Sequence, residues 1–297
     1  MTSLLIDGNN LFLRTLFSKV ILEEPDAEPK YALWRYLTFD QIMRLVWRLK
    51  ANEVIIAVDG KDCWRKRIYK SYKANRKKPR EESPIDWDGF FVQYNEWLEE
   101  IKNNLPFKVL KVKYCEADDI IGVLARRPGE QIVVSTDVDF TQLVAENVKI
   151  YNPLKQEKDK DPIYTIKDPN FVDFYALDGL KKDNIQNILT PLDWDGETKT
   201  PQFGKKKAQK ILESGVDSWL EQNSTPEIDL VKRYKILKML INLDQIPEYL
   251  VERVNEAYQE YEMPDPQRVA KFLAEKDWKP YREKISETEI RLMELFR

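Results

Sequence analysis

Five short apolar runs divide the first half of the chain, at residues 3–6, 54–58, 107–112, 132–135 and 148–151. Between them, apolar residues recur every three or four positions, most clearly over residues 31–50 and 85–104. Buried strands that alternate with amphipathic helices are typical of an α/β domain. The pattern therefore predicts a mostly parallel central sheet flanked by helices.

Strand signals fade beyond about residue 183, and helical patterns follow at residues 228–243, 247–261 and 286–296. We expect an α/β core over residues 1–180 and a helical region over residues 181–297. No apolar run approaches the roughly 18 residues of a membrane-spanning helix. Two widely separated cysteines and a start that lacks a basic leader favour a reducing compartment, so we expect a soluble, cytoplasmic protein.

Aspartates stand at the ends of three predicted strands. Asp7, Asp59 and Asp137 follow apolar runs, and Asp139 lies two residues further along. Ligands of open parallel sheets bind at the carboxyl ends of the strands, so these side chains can converge. A single aspartate at such a position is more often a turn former or a helix cap.

A fourth acidic group opens the helical run that begins near residue 116. Glu116 and Asp119 share one helix face at i,i+3 spacing, with Asp118 beside them. Any one of these acids could simply complement the helix dipole. Four acidic groups in register with successive α/β units favour a metal site over four unrelated caps.

The chain contains no histidine, which excludes imidazole-based hydrolysis and most catalytic zinc sites. Oxygen ligands suit Mg²⁺, with Mn²⁺ as a substitute. Two such ions roughly 4 Å apart can activate water, neutralise a phosphodiester and stabilise its leaving oxygen. The acidic groups thus predict metal-assisted phosphodiester hydrolysis.

The formal net charge of −3 hides two basic segments. Residues 61–80 hold ten Lys or Arg and one acid, and residues 199–210 hold five Lys and no acid. Cations mixed with aromatic residues, as over residues 64–76, suit single-stranded nucleic acid. A solvated basic helix is the alternative for that segment.

Seven sequence strings occur in a fixed order: LLIDGNN, AVDG, WRKRIYKSYKANR, EADDIIGVLA, STDVDFTQLV, KKDNI and FGKKKAQKIL. This ordered set resembles the 5′-nuclease family of flap endonucleases and 5′-3′ exonucleases, which includes the ribonuclease H of T-even phages. The resemblance covers residues 4 to about 212 and implies a PIN-like α/β nuclease fold. The size of the chain and its helical last third are similar to the phage members.

The resemblance also implies two magnesium sites. The residues that it places around the first metal are Asp7, Asp59, Glu116, Asp118 and Asp137, with Asp119 close by. Asp139 and Asp183 serve the second metal. Leu180 stands where the family pattern has an aspartate, and the resemblance leaves open whether Asp178 takes its place.

The basic segments have counterparts in the same family. Residues 61–84 are similar to its helical arch, which implies that Arg65, Tyr72, Lys73 and Arg76 face the scissile region, with Lys73 and Arg65 in catalysis. Arg67 joins the DNA-binding set. Lys205, Lys206 and Lys207 match the second half of a helix-hairpin-helix that holds duplex DNA. Residues 190–200 are longer and more acidic than the usual first half, so we do not assume a bound potassium ion.

The function implied is a magnesium-dependent 5′-3′ exonuclease and flap endonuclease. Its expected substrates are branched or nicked DNA and RNA–DNA hybrids, and its expected role is primer removal in a phage-infected bacterial host. A PIN-type single-strand ribonuclease is one alternative, although such chains are shorter and lack the basic arch. A non-catalytic branched-DNA binding protein is the other, and Leu180 is the feature that favours it.

The C-terminal residues 287–297 end in the apolar string RLMELFR. This string could dock a sliding clamp or a single-strand DNA-binding protein, or it could cap the helical region. We favour the capping role and expect a monomer.

Overall fold

The computed structural model describes residues 1–156, 162–196, 198–276 and 278–296. Its strands are β1 (Thr2–Asp7), β2 (Glu53–Val58), β3 (Lys108–Lys111), β4 (Glu130–Val134), β5 (Val148–Tyr151) and β6 (Ile163–Tyr164). They form one sheet in the order β3-β2-β1-β4-β5-β6, in which β6 runs antiparallel to β5 and the other neighbours are parallel. The predicted α/β class with a mostly parallel sheet is confirmed.

Helices cover both faces of this sheet and continue beyond it. They are α1 (Gly8–Leu16), α2 (Lys19–Leu22), α3 (Ala27–Arg48), α4 (Trp64–Ile68), α5 (Lys77–Glu81), α6 (Trp87–Asn104), α7 (Ala117–Leu124), α8 (Pro153–Gln156), α9 (Phe171–Asp178), α10 (Lys205–Ser214), α11 (Val216–Asn223), α12 (Leu230–Ile241), α13 (Glu248–Gln259), α14 (Gln267–Lys276), α15 (Lys279–Arg282) and α16 (Ile285–Met293). Short 3-10 turns lie at Ala74–Arg76, Val138–Leu143, Lys181–Asp183 and Glu294–Phe296.

Burial on both faces explains the continuous apolar runs. In β1, Leu4 and Ile6 pack with α3 and α6, whereas Leu5 packs on the opposite face with α7 and α13. A strand whose two faces are buried reads as an unbroken apolar run rather than an alternating one. Asp7, Asp59 and Asp137 stand at or just beyond the carboxyl ends of β1, β2 and β4.

The helices from α9 onward pack in three different places. Helices α9 to α12 form an apolar cluster of their own, which also takes in Tyr69 and Tyr72. Helix α13 packs on α7, and α14 and α16 return to the cluster beside α3 and α6. Helices α14 and α16 thus share an apolar core with β1, α3 and α6. The boundary near residue 180 stays a prediction.

The end of the chain caps this core. Leu292 is fully buried and Leu295 is 5% exposed, whereas Ile290 on the outer face of α16 is 62% exposed. Packing thus accounts for most of the apolar residues in the RLMELFR string, as the capping alternative expects. In the described residues, no helix combines the length and the apolar character that crossing a membrane requires.

Candidate active site

Strand ends and helix starts meet at one cleft of about 730 Å³. The charged residues that line it are Asp7, Asp59, Asp118, Asp137, Lys73, Arg76, Arg80, Arg14 and Lys111. The cleft brings together acids that are up to 130 positions apart in the sequence. Its position at the carboxyl ends of β1, β2 and β4 follows from the parallel order of these strands.

Backbone and side-chain hydrogen bonds orient the first two aspartates. Asp7 caps α1 by accepting from the Asn10 amide at 3.0 Å, and the Ser135 hydroxyl donates to its other oxygen at 2.9 Å. Asp59 accepts from the Ala117 amide at 2.9 Å. Each carboxylate is thus both a structural cap and a member of the acidic group.

Three of the four cleft carboxylates have raised pKa values; in Asp137, the fourth, burial acts to raise the pKa but Lys182 lowers it. Burial, followed by the negative charges of Asp59 and Asp137, raises the pKa of Asp7 to about 6. Burial also raises the pKa of Asp59 and takes that of Asp118 well above its usual range, with Asp7 and Glu116 adding repulsion. Ionising these buried carboxyl groups costs free energy, and binding of a cation or a proton would offset that cost.

Glu116 differs because its neighbours are cations. Burial acts to raise the pKa of Glu116, but the Lys73 ammonium at 2.7 Å and the Arg65 guanidinium at 3.2 Å lower it to about 2. The Tyr72 hydroxyl donates to the same carboxylate at 2.9 Å. Glu116 is therefore ionised throughout the physiological range.

Asp119 and Arg65 form a buried pair away from the cleft. Asp119 is fully buried, lies 2.8 Å from the Arg65 guanidinium and accepts from the Trp64 indole at 3.1 Å and the Glu116 amide at 2.9 Å. Arg65 is 2% exposed and also donates to the Leu240 carbonyl at 2.8 Å. Arg65 points into the protein, and its described hydrogen bonds go to protein acceptors, so its role in catalysis stays a prediction. Asp119 is paired with Arg65, and its place beside a metal ion likewise stays a prediction.

Tyr72 also points into the protein. It is 3% exposed, packs in the apolar cluster of α9 to α12 and donates to Glu116. The described contacts of Tyr72 are thus with the protein itself, and its role in DNA binding stays a prediction. Its hydroxyl instead helps to orient Glu116.

Asp137, Asp139 and Asp183 are each ion-paired with lysine or arginine side chains of the protein itself. Lys182 pairs with Asp137 and lies 2.7 Å from Asp139. Arg76 lies 2.8 Å and the Lys73 ammonium 3.7 Å from Asp183. Burial, followed by repulsion from Asp137 and Asp183 against the attraction of Lys182, raises the pKa of Asp139 to about 6.

Leu180, which stands where the family pattern has an aspartate, lies in apolar surroundings. Leu180 is 7% exposed and packs with Tyr69 and Tyr72. The cations that act on Asp178 are Lys205 and Lys181, not Lys182. Asp178 therefore lies within electrostatic range of Lys205, at the start of α10.

The remaining basic residues lie on the surface. Arg67 is exposed and stacks its guanidinium 4.0 Å above the Tyr114 ring. Lys205, Lys206 and Lys207 are exposed in the first turn of α10, after Gly204. Both groups are free to meet a phosphate backbone, although they lie outside the cleft lining.

The donor set fits divalent ions in its chemistry. It is all carboxylate, and one buried oxygen of Asp139 has no hydrogen-bond partner. In the described residues as they stand, no three acidic or cysteine side chains converge closely enough to chelate one ion. Lys73 is paired with Glu116, and Lys182 is paired with Asp137 and Asp139, so an ion bound by these carboxylates would compete with the two ammonium groups.

Several residues of the cleft were absent from the sequence-based set. Asn10 exchanges hydrogen bonds with Thr136, and Asn9 accepts from the Tyr94 hydroxyl. Asn9 and Asn10 belong to the LLIDGNN string but carry no charge, so the pattern of acidic residues does not indicate them. Lys182 pairs with Asp137 outside the cleft lining, and no sequence pattern distinguishes it from Lys181.

The metal-free protein should become more stable when the pH falls from 7.5 to 5.5. Asp7 and Asp139 have folded-state pKa values of about 6, above the unfolded value of 3.8. The stability that these two groups contribute through their protonated forms is complete below pH 3.8 and is lost as the pH rises through 6. Acidification from pH 7.5 to 5.5 should therefore raise the free energy of unfolding by about 1 kcal/mol and the melting temperature by a few degrees.

Thermal unfolding in EDTA at the two pH values measures this effect. The Asp7→Asn/Asp139→Asn double variant removes both titrating groups and should show a smaller rise. A wild-type melting temperature that falls steadily over the same interval would contradict the assignment of the two raised pKa values.

Residues 2–172 match the family described as 5′-3′ exonuclease, N-terminal resolvase-like domain. Ribonuclease H of Enterobacteria phage T4 is 28% identical over 271 residues, covering 85% of this chain and 86% of its own. A 5′-3′ exonuclease of Buchnera aphidicola is 30% identical over 199 residues, covering 62% of this chain and 65% of its own.

Solved structures share the fold at lower identity. A bacteriophage T5 protein co-crystallised with metal ions superposes with a TM-score of 0.62 at 17% identity, covering 88% of this chain and all of that one. A variant of the T5 flap endonuclease in a complex with DNA and metal ions gives a TM-score of 0.59, also at 17% identity, covering 88% and 94% of the two chains.

Proposed function

The chain belongs to the 5′-3′ exonuclease family, and we propose that it is a magnesium-dependent nuclease that cuts branched or nicked DNA, and RNA paired to DNA, near a 5′ end. The observation that carries the proposal is the convergence of Asp7, Asp59, Asp118 and Asp137 with Lys73 and Arg76 in one cleft. A site with both signs of charge suits a phosphodiester, whose phosphate needs cations and whose attacking water needs activation.

The acidic residues are proposed to serve two metal positions. Asp7, Asp59, Glu116, Asp118 and Asp137 are proposed to surround the first ion, whereas Asp139 and Asp183 serve a second position. Divalent ions, when bound, supply the Lewis acidity that polarises water and the scissile phosphate. Mg²⁺ is the proposed ion, with Mn²⁺ as a substitute, because the ligands are oxygen atoms throughout.

Two cations of the arch are proposed to act on the phosphate. The Lys73 side chain is 13% exposed, and its residue lies in a left-handed conformation (φ 55°) held by a hydrogen bond from its amide to the Asp183 carbonyl at 2.8 Å. That bond aims the ammonium at the acidic group, where it can stabilise charge in the transition state. Arg76 is 54% exposed and can receive the incoming 5′ strand.

Cleavage of two labelled substrates tests the proposal. One is a DNA duplex with a 5′-labelled flap, and the other is a 3′-labelled RNA primer annealed to DNA; each is incubated with Mg²⁺ or with EDTA. We expect cutting near the junction and stepwise removal of the RNA in Mg²⁺ alone. A matched duplex with hairpin-closed ends should resist. Tight binding without cleavage would instead support the non-catalytic branched-DNA binder.

Replacing Lys205, Lys206 and Lys207 together with glutamine should weaken duplex binding. Three exposed cations at the start of α10 can each neutralise a phosphate, so their loss should lower the slope of log affinity against log salt by about 2 to 3. Fluorescence anisotropy of a labelled duplex over a salt series measures both quantities.

The control carries the same charge change on α2, α6 and α14: Lys19→Gln, Lys102→Gln and Lys271→Gln, at exposed lysines. Equal weakening in both triple variants would mean that general charge, rather than the α10 surface, holds the duplex.

A further inference from the structure

The Lys182 ammonium lies among carboxylate oxygens. It donates to both oxygens of Asp137, at 2.6 Å to one of them, and it lies 2.7 Å from an oxygen of Asp139. Three acidic oxygens around one cation is the environment that these carboxylates would offer to a metal ion. Lys182 is 35% exposed at its side chain, so it stands at the rim and not in the core.

The turn that carries Lys182 is fixed at several points. The Leu180 amide donates to the Ile185 carbonyl at 2.8 Å, and the Asn184 amide group donates to the Ser71 carbonyl at 2.8 Å. Asn184 takes a left-handed conformation (φ 56°), which closes the turn tightly. These contacts direct Asp183 toward Arg76 on one side and Lys182 toward Asp137 on the other.

The same turn lacks a carboxylate at its start. Leu180 is buried with Tyr69 and Tyr72, so no acidic oxygen from that residue can reach the second cation position. With leucine instead of aspartate at residue 180, the second cation position has one negative charge fewer. The ammonium group of Lys182 adds one positive charge to it. Both changes lower its affinity for a divalent ion.

We propose that Lys182 is the resident counter-cation of Asp137 and Asp139, so that the free protein binds one divalent ion tightly and admits a second only when Lys182 withdraws. The inference rests on the metal-dependent function proposed above and deepens it. Lys182 can withdraw because its stem is flexible and its head is near solvent; an incoming phosphate is a chemically suitable acceptor for it.

Titration of the protein with Mn²⁺, without nucleic acid, tests the proposal. Isothermal calorimetry gives the number and affinity of sites, and electron paramagnetic resonance of free Mn²⁺ gives the same quantities independently. We expect one tight ion in the wild type and two in Lys182→Met, with the dissociation constant of the second site lowered by at least tenfold.

The matched control is Lys181→Met. Lys181 is the neighbouring residue and its side chain is exposed, so this variant loses the same charge without opening the position. It should bind Mn²⁺ as the wild type does. Adding Asp139→Asn to Lys182→Met should remove the second site again.

Two results would overturn the proposal. Identical site numbers and affinities in the wild type and in Lys182→Met would show that Lys182 does not occupy the second position; flap cleavage in Mg²⁺ would then leave the proposed function standing. An absence of any Mn²⁺ binding would overturn both proposals together. Lys182→Gln provides a second uncharged variant should Lys182→Met unfold, as judged by its melting temperature.

Discussion

Replacing Asp137 with alanine is expected to lower metal-dependent flap cleavage by roughly 10³-fold while the protein stays folded. Asp137 interacts electrostatically with Asp7 and Asp118 on one side and holds Lys182 beside Asp139 on the other. Its carboxylate is thus shared by both cation positions, and a loss of that size is typical for removal of one electrostatic contributor to a transition state.

Single-turnover cleavage of the 5′-labelled flap measures the effect, with substrate affinity measured separately in EDTA. Asp217→Ala is the matched control, since it removes an exposed aspartate of α11. Cleavage by Asp137→Ala within a few-fold of the wild-type rate would mean that the active site has been assigned to the wrong residues.

Replacing Arg65 with methionine is expected to destabilise the protein by about 3–5 kcal/mol. The change leaves Asp119, which is fully buried, as an uncompensated charge and removes a donor from the Leu240 carbonyl. For a chain of this size, that loss corresponds to a fall of roughly 10 °C in melting temperature. Thermal unfolding followed by circular dichroism gives the value.

Lys73→Met is the comparison for Arg65→Met. We expect a large loss of cleavage, because Lys73 is proposed to act on the phosphate. We expect a small change in melting temperature, because Glu116 keeps its hydrogen bonds to Arg65 and Tyr72. If Arg65→Met kept its stability and lost only cleavage, Arg65 would be acting on the substrate after all.

The strands were predictable because burial on both faces leaves an unambiguous signal. Strand β5 occupies the predicted residues 148–151, and β1 and β2 extend the predicted runs by one or two residues. Strand β6 has two residues, Ile163–Tyr164, and pairs antiparallel at the edge of the sheet. So short a segment has no periodicity to detect.

The acidic cluster was predictable as a set, but the direction of each side chain was not. Arg65 and Arg67 stand two residues apart in one basic run, yet one is buried against Asp119 and the other is exposed. Helix α4 spans five residues, Trp64–Ile68, too few for an amphipathic pattern to show which cation turns inward. The inward direction is set by Asp119 and the Leu240 carbonyl, which come from distant parts of the chain.

The position of Lys182 illustrates the same limit. Its neighbours in sequence are Lys181 and Asp183, and charge alone does not distinguish the two lysines. The tight turn from Leu180 to Ile185 decides which of them meets Asp137. Such a choice depends on backbone geometry, which a count of charges does not contain.

The packing of α14 on α3 and α6 has a consequence for how the protein is made. The Phe272 ring lies 6.0 Å from that of Phe39 and 6.2 Å from that of Trp97. Phe39 and Trp97 are synthesised long before α14, the helix that covers them. The nascent chain therefore exposes these aromatic side chains during much of its synthesis. Premature termination before α14 would leave that surface permanently open, and such a product is a client for chaperones or a seed for aggregation.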